Sequence, residues 1–395
     1  MVSVSEAKEI IEKNTESLSP VLMDLENAAG KILAIPVYAT GDIPAYPQSS
    51  MDGYAIAFSN WQKNKSLIVE GVSAAGNPQP ATLGAGKAVR IFTGAPLPEG
   101  ADTVVMQEKT RTENGILFIE DDKLAEGLNV RPAGSEIKKD ALAMEKGSLL
   151  SPSAIGYLAG MGIFSVSAYP LPSVAIILTG NELQAPGKPL AYGQVYESNS
   201  FTLRAVLRQA GIEKMELYRV ADNLNAVVET LEKALDQHDL VLLTGGISVG
   251  DYDFVLEAAG ICGVRQLFHK VKQRPGKPLF FGKKDRQLVF GLPGNPSSVL
   301  TCFYEYVLPA LSIMTKKDLQ LKKITVPAAK AIPKNSQLTH FLKGYYDGAR
   351  AIPLGAQESY RMSSYAVANC LLKIGEETTL VNENEMVEIH LFPSA

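Results

Sequence analysis

The sequence predicts a multidomain α/β plus β protein: a central parallel α/β sheet domain, an inserted β domain, a helical linker domain and a C-terminal β barrel-like domain. Three observations carry this expectation. Five hydrophobic strand-like runs alternate with helical segments between residues 173 and 311; short β-like runs punctuated by Pro and Gly fill 41–140; and the chain turns β-rich again after 319. With 395 residues, 46% hydrophobic and 20% charged, the composition is globular and the chain too long for one ordinary core.

In chain order, Ser3-x-x-Glu6 forms a capping box ahead of a stripe of Val4, Ala7, Ile10 and Ile11, which predicts an amphipathic helix in a mostly helical segment 1–40. Residues 41–140 carry β-like runs at 67–72, 87–92, 103–107 and 116–119, the texture of a compact β domain. Ser151-Pro152 caps a second helical stretch over 149–168. Segments 1–40 and 141–170 are expected to pack together as the helical linker domain, which makes 41–140 an insertion.

Strands are expected at 173–178, 215–220, 240–243, 264–268 and 287–290, with helices at 198–210, 223–236, 253–259 and 296–311. This regular alternation implies parallel βαβ units over 171–318. Residues 319–395 read as a small barrel or sandwich, with strands at 379–381 and 386–392 around the turn-forming Asn382-Glu383-Asn384.

A net charge of −4 argues against nucleic acid or an anionic membrane as partner. Cys262, Cys302 and Cys370 are an odd, widely spaced set, and His238, His269, His340 and His390 form no paired-ligand pattern, so neither a disulfide framework nor a zinc site is expected. The N-terminus lacks a secretory pattern, and no run approaches 18 continuous apolar residues. The expectation is a soluble cytoplasmic protein.

Each strand-like run ends in a polar or glycine-rich patch, and in open parallel sheets ligands bind outside the carboxyl ends of the strands. Thr244-Gly245-Gly246-Ile247-Ser248-Val249-Gly250-Asp251-Tyr252-Asp253 leads into a helix; its glycines permit close backbone approach, and Ser248 with nearby amides can hold an anion. It has neither the GKS/T of a Walker loop nor a GxGxxG fingerprint, which disfavours an ATPase or a nicotinamide enzyme.

The segment from Lys270 to Pro278 concentrates Lys270, Lys272, Arg274 and Lys277 in an otherwise acidic chain. On one strand Lys270, Lys272 and Arg274 would share a face, and the stiff Pro275-Gly276 pair makes an oxyanion site a better reading than a solvated edge. Glu182, Asp222, Asp251 and Asp253 fall at strand ends, where each alone could cap a helix. Together, beside a phosphate site, these four suit Mg²⁺. Gly291-Leu292-Pro293-Gly294-Asn295-Pro296 is stiffer than a simple turn requires, which argues for binding.

Taken in order, six segments resemble the molybdopterin molybdenumtransferase family, the MoeA and gephyrin E-domain group. They are Ser50-Met51-Asp52-Gly53-Tyr54-Ala55, Ile91-Phe92-Thr93-Gly94-Ala95, Thr179-Gly180-Asn181-Glu182-Leu183, Thr244-Gly245-Gly246-Ile247-Ser248-Val249-Gly250, Arg274-Pro275-Gly276-Lys277-Pro278 and Gly291-Leu292-Pro293-Gly294-Asn295-Pro296. Gln357, Ser359, Ser363 and Asn369 resemble a looser family pattern in the terminal domain.

The resemblance implies an enzyme that takes adenylylated molybdopterin and molybdate, inserts the metal and releases AMP in a Mg²⁺-dependent step. It also implies a homodimer formed through the helical domain, and molybdopterin adenylyltransferase and acceptor molybdoenzymes as partners. Carried over by motif, Asp52 and Thr93 would act from the partner subunit, while Glu182, Asp222 and Asp253 would serve metal, pterin or phosphate. Lys270 and Arg274 would hold anionic groups. Gly245, Gly246, Ser248, Gly250, Lys277, Pro293, Gly294, Asn295 and Pro296 would shape the binding pocket. Arg274 stands where some members have Lys, a fork in place of a point donor. Glu136 stands where many have Asp. Two other readings are a molybdopterin adenylyltransferase, from the α/β domain alone, and a non-catalytic scaffold dimer.

Overall fold

Helix α1 (Val4–Asn14) begins where the capping box closes: Ser3 Oγ accepts from the Glu6 amide at 3.1 Å, and Glu6 Oε2 accepts from the Ser3 amide at 2.7 Å. The computed structural model describes residues 1–76, 82–245 and 254–393. They divide into two compact units, one of Met1–Val21, Gly30–Ile32 and Ala168–Ala395, the other of Leu22–Ala29 and Leu33–Ser167.

The second unit is built on a six-stranded sheet of β1 (Gly53–Ile56), β2 (Ser66–Ser73), β3 (Lys87–Ile91), β4 (Thr103–Met106), β5 (Thr110–Glu113) and β6 (Ile116–Ile119), ordered β4-β1-β3-β2-β6-β5. Its inward residues Ile56, Leu67, Ala88, Val105 and Leu117 form one core, as alternation along the strands requires. The expected helix over 149–168 is shorter: α2 spans Pro152–Gly160, capped by Ser151 Oγ.

In the first unit, β7 (Val174–Thr179) is buried throughout. Two short strands follow, β8 (Leu183–Gln184) and β9 (Val195–Tyr196), and then α3 (Asn199–Gln209). β10 (Met215–Val220), α4 (Leu224–Gln237), β11 (Leu240–Thr244) and α5 (Phe254–Ile261) continue the alternation. After β12 (Arg265–Lys270) and the short β13 (Gln273–Arg274) come β14 (Pro278–Lys284) and β15 (Gln287–Leu292).

The main sheet runs β10-β7-β11-β15-β14-β12. β7 pairs in parallel with β10 and β11, and β11 with β15, so these strands end on one edge. Helices on both faces leave the central strands no polar side, hence their near-continuous Val, Ile and Leu. The sequence pattern missed β14, which is antiparallel to both β15 and β12. Its Pro278 start and charged Lys283-Lys284 end resemble a loop, yet Leu279, Phe280 and Phe281 are fully buried.

Helix α1 departs from the expected grouping. Val4, Ala7 and Ile11 lie in the same core as Val174, Leu242 and Phe281, so α1 packs with the main-sheet unit, whereas α2 belongs to the other. Burying Val4 and Ile11 there contributes roughly 3–6 kcal/mol before entropy. The rest of segment 1–40 is short strands and turns with one 3-10 turn at Leu25–Asn27, not α-helix.

α6 (Pro296–Cys302) passes through a π-helical stretch (Phe303–Val307) into α7 (Leu308–Thr315), four residues beyond the expected end. Pro309 has no N–H to offer the Glu305 carbonyl, consistent with the wider register there. By length and composition this helix could cross a membrane, but it is almost wholly buried in the core.

Finally, β16 (Lys322–Pro327), β17 (Thr339–Tyr346), β18 (Ala351–Pro353), β19 (Cys370–Ile374) and β20 (Met386–Leu391) build a sheet ordered β13-β17-β19-β20-β16, with β18 on β17. The ladder path ends at β16, but Ala328 just past it bridges Ala351 of β18, and the Ala329 amide donates to the Ala351 carbonyl at 2.8 Å, so the two sides of the sheet meet in a barrel-like closure. One edge is β13, lent by the preceding α/β region and parallel to β17.

Candidate functional site

At the carboxyl edge of the main sheet the backbone is compressed. Gly245, just past β11, has φ +94°, and a Cβ there would stand 2.2 Å from the Thr179 carbonyl oxygen. Gly180 lies at φ +142°, and a Cβ on it would come within 2.9 Å of both Glu182 carboxylate oxygens. Only glycine lets these strand ends approach each other and lets Glu182 fold back over its own loop.

Asn199, the first residue of α3, ties the edge together. Its Nδ2 donates to Thr244 Oγ1 at 2.9 Å and to the Gly294 carbonyl at 2.8 Å, while Thr244 Oγ1 donates to the Pro293 carbonyl at 3.1 Å. Around this knot opens a cavity of about 1150 Å³. Glu182, Asp222, Gly245, Arg274, Lys277 and the turn Pro293-Gly294-Asn295-Pro296 line it, together with loop 357–360 from the terminal sheet.

The basic segment does not run as one strand. β12 ends at Lys270, Val271 is fully buried, and the chain crosses to the terminal sheet as β13. The fully buried Gln273 then holds the loop: its Nε2 donates to the Pro275 and Gly276 carbonyls at 3.1 Å each, and Tyr306 donates its hydroxyl to Gln273 Oε1. Gly276, at φ +82°, passes so close to Cys302 that a Cβ would lie 2.5 Å from Sγ. The result is a fixed loop presenting exposed Arg274 and Lys277 to the cavity. Lys270 is partly buried and does not line it, and Lys272 turns to Glu376 at 3.8 Å. The expected common face of Lys270, Lys272 and Arg274 is therefore not formed, because regular pairing breaks at Val271.

Two acids meet in the cavity. Burial pushes the Asp222 carboxyl above its ordinary pKa, and the neighbouring Glu182 charge pushes it further. Asp222 Oδ1 is buried with no hydrogen-bond partner among the described residues. An orphaned carboxylate oxygen beside a second carboxylate suits a hard divalent cation, which supplies the missing partner and offsets the repulsion. No group of three His, Cys, Asp or Glu converges among the described residues. Asp253, the third expected acid, lies outside the described residues, as do Gly246, Ser248 and Gly250.

In the other unit Asp52 and Thr93 form a pair of their own. Asp52 Oδ1 accepts from both the Thr93 amide and the Thr93 hydroxyl at 2.8 Å; these bonds, helped by the Arg90 charge, hold its carboxyl below the ordinary value. Arg90 sits over the rings of Tyr54 and Phe92 and donates to the Gly53 carbonyl at 2.7 Å and to Gln107 Oε1 at 2.6 Å. Glu136 is exposed, its amide donating to the Ile43 carbonyl at 2.9 Å.

Sequence reasoning missed several supporting residues. Asn199 carried a signal, since an Asn opening a helix is a capping type; Gln273 and Tyr306 carried none, being polar atoms in apolar surroundings. Lys343 is almost fully buried, and its Nζ donates to the carbonyls of Ala356 at 2.7 Å and Arg361 at 3.0 Å, shaping the loop that walls the cavity. Asn295 Nδ2 then donates to Ser359 Oγ at 2.8 Å, joining that loop to the strand-end turn.

Comparison with known proteins gives consistent matches. Residues 2–162 match the family model "MoeA N-terminal region (domain I and II)", residues 175–312 "Probable molybdopterin binding domain", and residues 325–392 "MoeA C-terminal region (domain IV)". The chain is 36% identical over 383 residues to a molybdopterin molybdenumtransferase of Haemophilus influenzae, covering 94% of this chain and 93% of that one. It is 39% identical over 305 residues to one of a Nostoc species, covering 73% and 68%. The crystal structure of a molybdopterin biosynthesis MoeA protein from Pyrococcus horikoshii superposes with a TM-score of 0.83 at 28% identity over all of both chains.

Proposed function

Since the chain belongs to the molybdopterin molybdenumtransferase family, an enzyme family of molybdenum cofactor biosynthesis, we propose that its cavity takes adenylylated molybdopterin and molybdate and releases AMP. The observation that carries this reading is one cavity of about 1150 Å³ with paired acids and paired cations on its lining. Arg274 and Lys277 hold the oxyanion, Arg274 through two parallel N–H donors where molybdate or phosphate presents two oxygens. The stiff turn from Pro293 to Pro296 and the close-packed Gly245 leave room for a phosphate at the strand ends. Glu182 and Asp222 would hold Mg²⁺, which supplies charge neutralisation on the phosphate leaving as AMP. The raised Asp222 carboxyl supports this, because the cation restores its ionised form.

Asp52, braced by Thr93 and Arg90, is assigned to the cavity of a second copy of the chain in a homodimer. Lys270 is assigned a supporting electrostatic role outside the lining.

Purified chain mixed with adenylylated molybdopterin, molybdate and Mg²⁺ should release AMP and yield molybdenum cofactor, and EDTA should stop it. Absence of molybdate-dependent AMP release would sink the proposal; net formation of adenylylated molybdopterin would make the adenylyltransferase reading correct. Asp52→Ala and Glu182→Gln should each fold and be inactive, and mixed subunits of the two should regain activity. If mixing restores nothing while each variant dimerises by light scattering, the shared-cavity assignment is wrong.

A further inference from the structure

Opposite in character to the charged lining, the same cavity carries two aromatic residues among its described lining residues, Tyr196 and Tyr360, 49% and 61% exposed. Half-exposed aromatic faces on a cavity wall are available to stack on a planar ligand. Tyr196 is the better placed. It sits on β9, whose parallel pairing with β8 puts it opposite Gln184, and its hydroxyl donates to the Lys188 carbonyl at 3.0 Å. Two backbone bonds flank it: the Val195 amide donates to the Glu182 carbonyl and the Glu197 amide to the Gln184 carbonyl, both at 2.9 Å.

The ring is therefore held rigidly, one residue from a strand position bonded to the acid Glu182. On its other side the chain is fixed at once. Glu197 is buried, its carboxylate accepting from the Ser200 amide at 2.7 Å and from the Ser200 hydroxyl at 2.5 Å. Asn199 is bound to Gly294. A segment tied at Glu182, Lys188, Ser200 and Gly294 loses little freedom when a ligand stacks on it, so the gain from stacking is largely kept.

We propose that Tyr196 is the stacking platform for the planar heterocycle of the ligand, with Tyr360 of the terminal sheet's loop as a second aromatic contact. This rests on the function proposed above and deepens it: it separates the part of the lining that recognises a ring from the part that recognises an oxyanion. The heterocycle is a fused nitrogen ring carrying an anionic tail, a description met by the pterin and by the adenine of the proposed substrate. The tail reaches toward Arg274 and Lys277 while the ring stays at the β9 wall.

The test uses the purified full chain with molybdopterin, AMP and inorganic phosphate as separate probes. Tyr196→Ala is expected to weaken binding of the stacked ring about 10-fold, the size of one base–aromatic contact. Tyr196→Phe, which keeps the ring but loses the tie to Lys188, should lose far less affinity than Tyr196→Ala, and phosphate affinity should be the same in all three proteins. Loss confined to molybdopterin assigns the wall to the pterin, and loss confined to AMP assigns it to adenine. Unchanged binding of both rings by Tyr196→Ala overturns the proposal, as does an equal loss of phosphate, which would mean the segment has collapsed. A wild-type chain that binds phosphate but neither ring overturns both this inference and the proposed function.

Discussion

Two acidic centres in the main-sheet unit, one in the core and one on a cavity wall, are built in opposite ways. In the core, Glu305 is fully enclosed: Lys8 Nζ reaches its Oε2 at 2.5 Å, His390 Nδ1 meets its Oε1 at 2.5 Å, and His390 Nε2 meets Glu388 at 2.7 Å. Burial alone would raise this carboxyl, but Lys8 and His390 overcome it and bring it down to about 2. At the strand ends Asp222 is driven the other way, and its Oδ1, like Thr179 Oγ1 and Asn199 Oδ1, has no partner among the described residues. Only the first is sealed from water and contains its own countercharges; at the second Glu182 is exposed and Asp222 partly buried. The satisfied network joins α1, the π-helical stretch and the terminal sheet; the unsatisfied one faces a cavity. Where folding leaves polar atoms unpaired on a cavity wall, a ligand is the missing partner.

The largest effect should come from breaking the satisfied centre. Lys8→Met leaves Glu305 buried and short of a countercharge, which costs about 3–5 kcal/mol and lowers the melting temperature. The sign with pH follows from the depressed carboxyl. Its contribution is complete above the ordinary carboxylate range and is lost as pH falls toward 2. Acid unfolding of Lys8→Met should accordingly be less steep than that of wild type; equal steepness would show that the network does not couple to folding.

Gly245→Ala comes next. A side chain at φ +94° that must also clear the Thr179 carbonyl should cost roughly 2–4 kcal/mol. It should also abolish ligand binding, because relief comes only by separating the two strand ends. A variant that melts normally and binds molybdopterin normally would show that the close approach is not needed.

The smallest changes should be gains. Asp222→Asn removes a carboxylate that the fold disfavours, and Thr179→Val removes a hydroxyl with no partner among the described residues; each should stabilise the ligand-free chain by about 1 kcal/mol while weakening cofactor formation. Because the Asp222 carboxyl is raised, its cost is present above its folded pKa and relieved as pH drops through it. Any gain from Asp222→Asn should thus be larger at neutral pH than in acid. Destabilisation by both variants would place these groups with Glu305, among the structural ones.

The same contrast explains what could be read before any coordinates. Strand ends announce themselves through Gly, Pro and acids set against apolar runs, so Glu182, Asp222, Gly245, Arg274, Lys277 and the turn at Pro293 were found by pattern, and all line one cavity. Strands at 240–243 and 287–290 were legible because buried parallel strands are nearly continuous apolar runs. β14 was hidden by its opening proline, and the departure of α1 from α2 could not be seen because an amphipathic stripe does not say which core it enters. Glu305, Lys8 and His390 left no trace either. Their spacing in sequence is arbitrary, and only the packing of three elements makes them neighbours.

One edge strand has a further consequence. Because Gln273–Arg274 is hydrogen-bonded into the terminal sheet while Arg274 lines the cavity, the terminal segment cannot be treated as a detachable module. A chain truncated after α7 would keep every strand of the main sheet and still release the guanidinium from its mooring. Grafting a relative's terminal segment would be expected to retune anion affinity without altering Glu182, Asp222, Arg274 or Lys277.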